Sequence, residues 1–178
     1  MVMQKNWYAV YTKPQSEKKV AALLIKRKIQ AFFPLVSIKT TSFGRDKSVF
    51  VPLFKSIVFV CATPNDLAVL KQTTGVINIL YWLGMPAIIT TEEIATIRQF
   101  TEDYRNIKLE PSFVNNIDVA NNVNGSSVTI TGNLFVVKNR TIKVNLPSLG
   151  YTMIAQVEEE NVFIKESLLL QKNKYAHS

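Results

Sequence analysis

The stretch WYAVYTKP, residues 7–14, together with the apolar positions that follow it, decides the fold of this chain. Residues 7–11 are aromatic or β-branched, which predicts a strand. Pro14 suits the first turn of a helix. Val20, Leu23 and Leu24 then recur at helical spacing among basic residues, which predicts an amphipathic helix. The chain therefore opens with a strand that leads into a basic helix.

The next part of the chain extends this unit into an antiparallel sheet covered by helices. Gly44 lies in a turn-rich segment that reads as the tip of a hairpin arm, and Pro34 places its strand near a sheet edge. Thr90 and Glu93 have the spacing of a capping box, which predicts a last helix. The resulting order β-α-β-β-α-β predicts an α+β, split-βαβ domain over 1–100. Its further strands are predicted at 32–38, 57–61 and 76–82, with a short helix from 64.

The pattern changes after Phe100. Residues 101–117 are polar, alternate in charge and include Pro111, which indicates a linker. The segment 118–170 contains short β-branched runs separated by turn residues, which predicts a small all-β barrel of the SH3-like kind. The runs lie at 128–130, 134–137, 141–144, 153–157 and 162–164, and 171–178 is expected to be a tail.

Charge divides along the same boundary. Residues 1–100 contain 13 Lys and Arg against 5 Asp and Glu, whereas residues 101–178 contain 8 of each. A basic module joined to a neutral one favours a polyanionic partner for the first module. A soluble basic domain without such a partner is the alternative.

The composition argues against most enzyme and metal-site chemistry. Cys61 is the single cysteine and His177 the single histidine, so we expect no disulfide, no catalytic residues and no metal or cofactor site. The acidic residues are scattered, without an acid–base pair. No apolar run reaches 18 residues, so we expect neither a membrane span nor a membrane partner. The start of the chain lacks an apolar signal core, which predicts a cytoplasmic protein.

Several segments resemble, in the right order, the N-terminal domain of NusG-type transcription elongation factors. They are WYAVYTKP at 7–14, the basic helix, PLF at 52–54, IVFV at 57–60, TGV at 74–76 and GMP at 84–86. The resemblance covers about residues 5–100. The second part is similar in position and strand content to the KOW domain of that family, although the glycine-rich opening of the KOW motif is not visible.

Within the family, the chain looks most like the specialised paralogues RfaH and the UpxY antiterminators. This resemblance implies a factor that rides on RNA polymerase and suppresses pausing or termination, possible targets being long polysaccharide-type operons. It also implies an apolar patch that binds the clamp helices of the largest polymerase subunit. The positions that match this patch are Tyr11, Phe54, Ile57, Phe59 and Trp82.

Elementary geometry supports part of this patch. Ile57 and Phe59 are two residues apart on one strand, so they share a face. Tyr11 ends a strand, where its ring can join them while its hydroxyl stays hydrated. Each of these side chains is also compatible with a place in the core, and Phe59 in particular could be core or interface. We expect Tyr11 and Phe54 to be exposed.

The basic residues suggest a second interface. The resemblance places non-template DNA of the transcription bubble near Lys13 and the first helix, and we assign nucleic-acid contacts to Lys13, Lys18, Lys19 and Arg45. Lysines and arginines of this kind contact phosphates without reading sequence. A solvated helix face explains the same lysines.

The function expected from the sequence is therefore a non-enzymatic transcription elongation and antitermination factor. A ribosomal protein is a further partner that the family resemblance suggests for the C-terminal domain. The main alternative is a freestanding single-stranded nucleic-acid-binding protein that does not contact polymerase, in which sheet aromatics stack on bases. An enzyme of split-βαβ type is the remaining alternative, and it lacks an acid–base set.

Overall fold

The structure is a computed structural model that describes residues 4–42, 44–112, 127–130, 133–138 and 141–156. The helices are α1 (Glu17–Lys26), α2 (Leu67–Gln72) and α3 (Thr91–Asp103), with a 3-10 turn at Pro64–Asp66. The strands are β1 (Asn6–Thr12), β2 (Gln30–Phe32), β3 (Leu35–Ser42), β4 (Arg45–Pro52), β5 (Ile57–Ala62), β6 (Val76–Ile79), β7 (Tyr81–Trp82), β8 (Met85–Pro86), β9 (Ile88–Ile89), β10 (Lys108–Pro111), β11 (Ser127–Ile130), β12 (Asn133–Lys138), β13 (Thr141–Leu146) and β14 (Tyr151–Gln156).

The first sheet is built around β1. Its strand order is β2-β5-β1-β6, and β9 also pairs with β1. All pairings of β1 are antiparallel, and its register with β5 runs from Asn6 opposite Ala62 to Tyr11 opposite Ile57. The predicted α+β class, with an antiparallel sheet and packed helices, is confirmed.

The two faces of this sheet are covered by different elements. Tyr8 and Val10 of β1 pack with Val58 of β5 against the buried stripe of α1, Val20 and Leu24 among it. The alternate residues of the same strands point to the opposite face, because successive strand side chains alternate. There, Trp7, Ala9 and Phe59 pack in a second cluster that includes the buried side of α3. We call this second side the outer face of the sheet.

The beginnings of α1 and α3 test two predictions. The capping box of α3 is confirmed: Thr90 Oγ1 accepts from the Glu93 N–H at 3.1 Å, and the Thr90 N–H donates to Glu93 Oε2 at 3.2 Å. Pro14, by contrast, is not in the first turn of α1. It lies in a turn whose next residue, Gln15, has a φ of 61°, and α1 begins only at Glu17. A left-handed residue cannot continue a right-handed helix, so the helix begins after it.

Two predicted strands are each interrupted. The predicted strand 32–38 breaks at Pro34 into β2 and β3, which belong to different sheets. Proline has no N–H for a ladder, which explains the break. The predicted strand 76–82 breaks at Leu80, whose N–H donates to the Ala9 carbonyl at 2.8 Å, and it resumes as β7.

The second sheet is antiparallel, with the order β10-β14-β13-β12-β11. The sequence predicted an irregular linker over 101–117. Instead, α3 continues to Asp103 and the edge strand β10 occupies Lys108–Pro111. The polarity of this segment reflects edge exposure, because an edge strand can face water. The predicted strand 162–164 and the tail 171–178 lie outside the described residues.

The two sheets share one apolar cluster. Val144, Leu146 and Met153 of the second sheet are fully buried, and they belong to the cluster on the outer face of the first sheet. The β-branched and aliphatic alternation of β13 therefore faces the first module. None of the helices in the part of the chain that the structure describes is long and apolar enough to cross a bilayer.

Candidate functional site

Three of the five predicted patch residues lie on the outer face of the first sheet. Tyr11 and Ile57 are direct partners in the register of β1 and β5. Phe59 follows two residues after Ile57 on the same strand and therefore shares its face. It lies opposite Ala9, two cross-strand pairs further along, and Ala9 and Phe59 are the next pair on the same face. The strand geometry thus brings these three positions together, as the sequence predicted.

Exposure divides the predicted patch into an open and a closed part. Tyr11 is 38 % exposed and Trp82 is 72 % exposed, whereas Phe54 is 3 % and Phe59 is 0 % exposed. Ile57 is half-buried. The expectation that Tyr11 is exposed is confirmed, and the expectation that Phe54 is exposed is wrong.

Phe54 is buried because the second sheet lies over it. Its ring meets Phe59 edge to face at 5.3 Å between centroids, and it meets Tyr151 of β14 at 6.1 Å and 78°. Edge-to-face pairs of this kind are favourable beyond their buried area. The patch was predicted from residues of the first module alone, so the prediction did not include a ring from the second module.

Glu93 connects the modules through a hydrogen bond that the sequence did not reveal. Its Oε2 closes the capping box of α3, and its Oε1 accepts from the backbone N–H of Ser148 at 2.8 Å. Ser148 lies in the turn between β13 and β14. The Glu93 side chain is 3 % exposed, so this contact is shielded from water. The carboxylate therefore serves both a helix cap and the contact between the modules.

Trp82 projects from a short apolar hairpin. It pairs with Met85 across β7 and β8, and Leu83 and Gly84 form the turn with φ values of 49° and 79°. Leu83 is 89 % and Met85 is 70 % exposed. Neither residue was predicted from the sequence as part of the site. A signal was available, because residues 72–91 carry no Lys, Arg, Asp or Glu.

The predicted basic residues fall on two elements. Lys13 follows β1, and its backbone N–H donates to the Gly75 carbonyl at 2.8 Å, which fixes the entry to α1. Lys18 and Lys19 lie in the first turn of α1, and all three lysines are exposed. Arg45 is exposed at the start of β4, on the hairpin arm. The structure thus groups the three lysines and places Arg45 on a different element.

A buried acid anchors the start of this basic helix. Glu17 is 5 % exposed, and its Oε1 accepts from the Ser56 N–H at 2.7 Å. The bond ties α1 to the residue that precedes β5. It also directs the only acidic side chain of α1 inward, so the exposed charged side chains of the helix are all lysines.

Two titratable groups depart from their ordinary behaviour, and neither forms a catalytic pair. Burial raises the pKa of the Cys61 thiol. Hydrogen bonds from the Thr63 side chain and backbone lower the pKa of Asp66. Among the described residues, no three His, Cys, Asp or Glu side chains are grouped as metal ligands.

Comparison with known proteins gives a family match for the first module. The family described as Transcription termination factor nusG matches residues 5–98, just over half of the 178 residues. A solved structure described as "Domain interaction in Thermotoga maritima NusG" is similar at 18 % sequence identity and a TM-score of 0.46. The similarity covers 87 % of this chain and 98 % of that one. A search of curated protein sequences found no match.

Proposed function

Because the chain belongs to the NusG family of transcription factors, we propose that it is an elongation and antitermination factor. In this proposal it binds the clamp helices of the largest RNA polymerase subunit. The observation that carries the proposal is the pairing of Tyr11 with Ile57 on the outer face of the first sheet. Phe59 continues this face, and Phe54 packs on its ring. A few large apolar side chains near the centre of a flat surface are what binding to a protein helix needs.

The second sheet must leave this face before the whole patch can bind. Phe54 and Phe59 are buried beneath it, whereas Tyr11 and Trp82 are open. We therefore assign the described arrangement to the unbound factor, with Tyr11 and Trp82 as the first contacts. The polymerase then binds the open form better than the closed form, and this difference in affinity shifts the population.

Bubble DNA is the second proposed ligand of the first module. Lys13, Lys18 and Lys19 are exposed around the start of α1, whereas the Glu17 carboxylate is turned inward to the Ser56 N–H. These lysines contact phosphates of the non-template strand in the proposal, and Arg45 contacts them from the arm. Such contacts hold the factor in position and weaken steeply with salt.

The more specific part of the proposed function follows from the resemblance of the sequence to the specialised paralogues. We propose a specialised factor of the RfaH or UpxY kind that serves long polysaccharide-type operons, in the cytoplasm. The second sheet would bind a ribosomal protein once it is released. By holding the clamp closed, the factor disfavours the paused state through differential binding, without making or breaking a covalent bond.

The test is co-purification of core RNA polymerase with the purified chain. The double variant Tyr11→Ala plus Trp82→Ala removes two exposed rings, so the fold is expected to be retained. Interface anchors of this type contribute about 2 kcal/mol or more each, so the loss of both should weaken polymerase binding on the order of 10³-fold and reduce capture accordingly. Ile25→Ala is the matched control, because Ile25 is 57 % exposed on α1, on the other face of the sheet. Equal capture by wild type and double variant would show that the assigned face is wrong.

Transcription in vitro across a terminator completes the test. The factor should increase read-through, and the double variant should lose this effect while Ile25→Ala retains it. Single-strand binding by the purified chain, without any effect on polymerase, would instead favour a freestanding nucleic-acid-binding protein.

A further inference from the structure

The tip of the β7–β8 hairpin has a backbone conformation that does not suit its first residue. Trp82 pairs with Met85, so the turn between the two strands consists of Leu83 and Gly84 alone. Both turn residues have positive φ values, 49° for Leu83 and 79° for Gly84. Two-residue turns of this type favour asparagine, aspartate or glycine at the first position, because other side chains are strained in the left-handed region. Local backbone chemistry therefore does not explain a leucine at position 83.

Packing within the chain does not explain this leucine either. Leu83 is 89 % exposed, so almost none of its side chain is removed from water. A leucine stabilises a folded protein through the apolar surface that it buries, and at this position little is buried. A backbone outlier at the surface, when the fold does not need it, indicates a binding role for the residue. The strain and the exposure of Leu83 together therefore point to a partner.

The neighbours of Leu83 show which side of the protein the tip belongs to. Leu80 packs against the cluster on the outer face, whereas Tyr81 packs against the cluster beneath α1. Because strand side chains alternate, Trp82 lies on the side of Leu80, and its register partner Met85 shares that side. Both of these residues are exposed. The tip therefore continues the outer face of the first sheet past its edge strand β6.

The composition of this segment indicates which partner fits the tip. Residues 72–91 carry no Lys, Arg, Asp or Glu, so the hairpin has no charge with which to hold a phosphate. Lys18 and Lys19, which are assigned to DNA, lie on α1 and thus on the other face of the sheet. An apolar tip that continues the outer face fits the partner of Tyr11 and Ile57, which in the proposed function is the polymerase clamp.

We propose that Leu83 inserts into an apolar pocket of the RNA polymerase clamp, with Trp82 and Met85 packed against the wall of that pocket. The proposal rests on the proposed function and adds a specific anchor to it. The turn already holds Leu83 at the end of a short two-stranded projection, so little further ordering is needed on binding. Leu83 is exposed while Phe54 is buried under the second sheet, so the closed form can make this contact as well.

The test measures stability and polymerase binding in one variant, Leu83→Asn. Asparagine suits the first position of the turn, so the variant should unfold at the temperature of wild type or up to about 4 °C above it. The same change removes the apolar side chain, so binding of the full-length chain to immobilised core RNA polymerase should weaken by about tenfold. A residue that served only the fold would not combine unchanged or higher stability with weaker binding.

Two further variants separate insertion of Leu83 from a general loss of apolar surface. Leu83→Met retains an apolar side chain of similar volume, so its affinity should stay within about threefold of wild type. Ile88→Asn is the matched control, because Ile88 is 54 % exposed and pairs with Tyr8, whose ring packs beneath α1. It makes a similar chemical change on the other face of the sheet, so polymerase binding should be unchanged.

Several results would overturn the insertion of Leu83. They are wild-type affinity of Leu83→Asn, a lower unfolding temperature of Leu83→Asn than of wild type, and equal weakening by Ile88→Asn. Dimers of the free chain that Leu83→Asn abolishes would assign the tip to a second copy in place of polymerase. Binding to phosphatidylcholine vesicles that the same variant abolishes would assign it to a lipid surface.

These outcomes can be told apart from failure of the proposed function. If Tyr11→Ala plus Trp82→Ala loses polymerase capture while Leu83→Asn retains wild-type affinity, the insertion of Leu83 is refuted and the proposed clamp contact stands. If the wild-type chain captures no polymerase, both proposals are refuted.

Discussion

Replacing Glu93 by glutamine should weaken the contact between the two modules more than its conservative chemistry suggests. In the protein the two carboxylate oxygens serve different partners: Oε1 accepts from the Ser148 N–H at 2.8 Å, and Oε2 accepts from the Thr90 N–H at 3.2 Å. A glutamine side chain has only one acceptor oxygen, and its NH₂ group faces a donor whichever way the amide is turned. One backbone N–H is therefore left without an acceptor.

The expected loss follows from the burial of the site. Glu93 is 3 % exposed, so water cannot easily replace the missing acceptor. A buried donor without a partner costs about 1–3 kcal/mol, so Glu93→Gln should lower the free energy of unfolding by about that amount. Glu93→Ala also removes the acceptor of the Thr90 N–H, which is the reciprocal half of the capping box, and this adds about 1 kcal/mol.

Urea denaturation of the full-length chain, followed by circular dichroism, measures this change. Glu92→Gln is the matched control, because Glu92 lies in the same first turn of α3, loses the same charge and is exposed. It should change stability by no more than about 0.5 kcal/mol. Amide hydrogen exchange at Ser148 should accelerate in the Glu93 variants alone. If Glu93→Gln and Glu92→Gln are equally stable and exchange equally at Ser148, the carboxylate does not bridge the modules.

Three further predictions concern the first module. Gly75 has a φ of +94°, and a Cβ at this position would lie 2.9 Å from Val20 Cγ2, so Gly75→Ala should destabilise the protein by about 1–3 kcal/mol in thermal or urea unfolding. An unchanged stability would contradict this close approach. Burial raises the pKa of the Cys61 thiol, so alkylation near pH 8 should be slower in the folded than in the unfolded chain. Because the thiol ionises more easily in the unfolded chain, its contribution to folding stability is complete below the pKa of the unfolded thiol and is lost as pH rises through the pKa of the folded thiol. Equal alkylation rates in the folded and unfolded chain would refute the raised pKa. Hydrogen bonds from Thr63 lower the pKa of Asp66, so their contribution to folding stability should be present at neutral pH and should be lost as pH falls through the pKa of Asp66 in the folded protein. Thr63→Ala should therefore raise the Asp66 pKa in an NMR titration.

The sequence predicted those parts of the fold that depend on local chemistry. The alternation of aromatic and β-branched residues in β1 and the Thr90 and Glu93 spacing before α3 act within a few residues, so they could be read directly. Strand breaks were harder, because Pro34 and Leu80 change the sheet to which the next residues belong. Such a change depends on which partner strand is nearby, and a linear pattern does not contain that information.

The candidate site was predictable in composition but not in exposure. Alternation correctly placed Ile57 and Phe59 on one face. The burial of Phe54 depends on Tyr151, a residue 97 positions later in a different sheet. No periodicity within either segment links the two rings. Exposure at a contact between modules is a tertiary property, which is why Tyr11 was placed correctly and Phe54 was not.

The outer face of the first sheet is covered either by the second sheet or, in the proposed function, by the polymerase clamp helices. The two exclude each other, which can be measured. If only a fraction of molecules has the second sheet displaced, the apparent dissociation constant for polymerase is the intrinsic one divided by that fraction. For an open fraction of about one in a hundred, apparent binding is about 100-fold weaker than intrinsic binding. Glu93→Gln should raise the open fraction and so tighten polymerase binding, up to the intrinsic limit.

Substitution of a residue that contacts polymerase changes the intrinsic dissociation constant and leaves the open fraction unchanged. Tyr11→Ala lowers intrinsic affinity in every conformation, because Tyr11 is exposed whether or not the second sheet covers Phe54. Combined with Glu93→Gln, it should therefore weaken binding by the same factor as it does alone, since the two effects add when they act on independent steps. A Tyr11→Ala variant that tightens polymerase binding, with an effect that disappears in the Glu93→Gln background, would mean that Tyr11 acts by holding the sheets together. The outer face would then be core, and not a surface for the polymerase clamp.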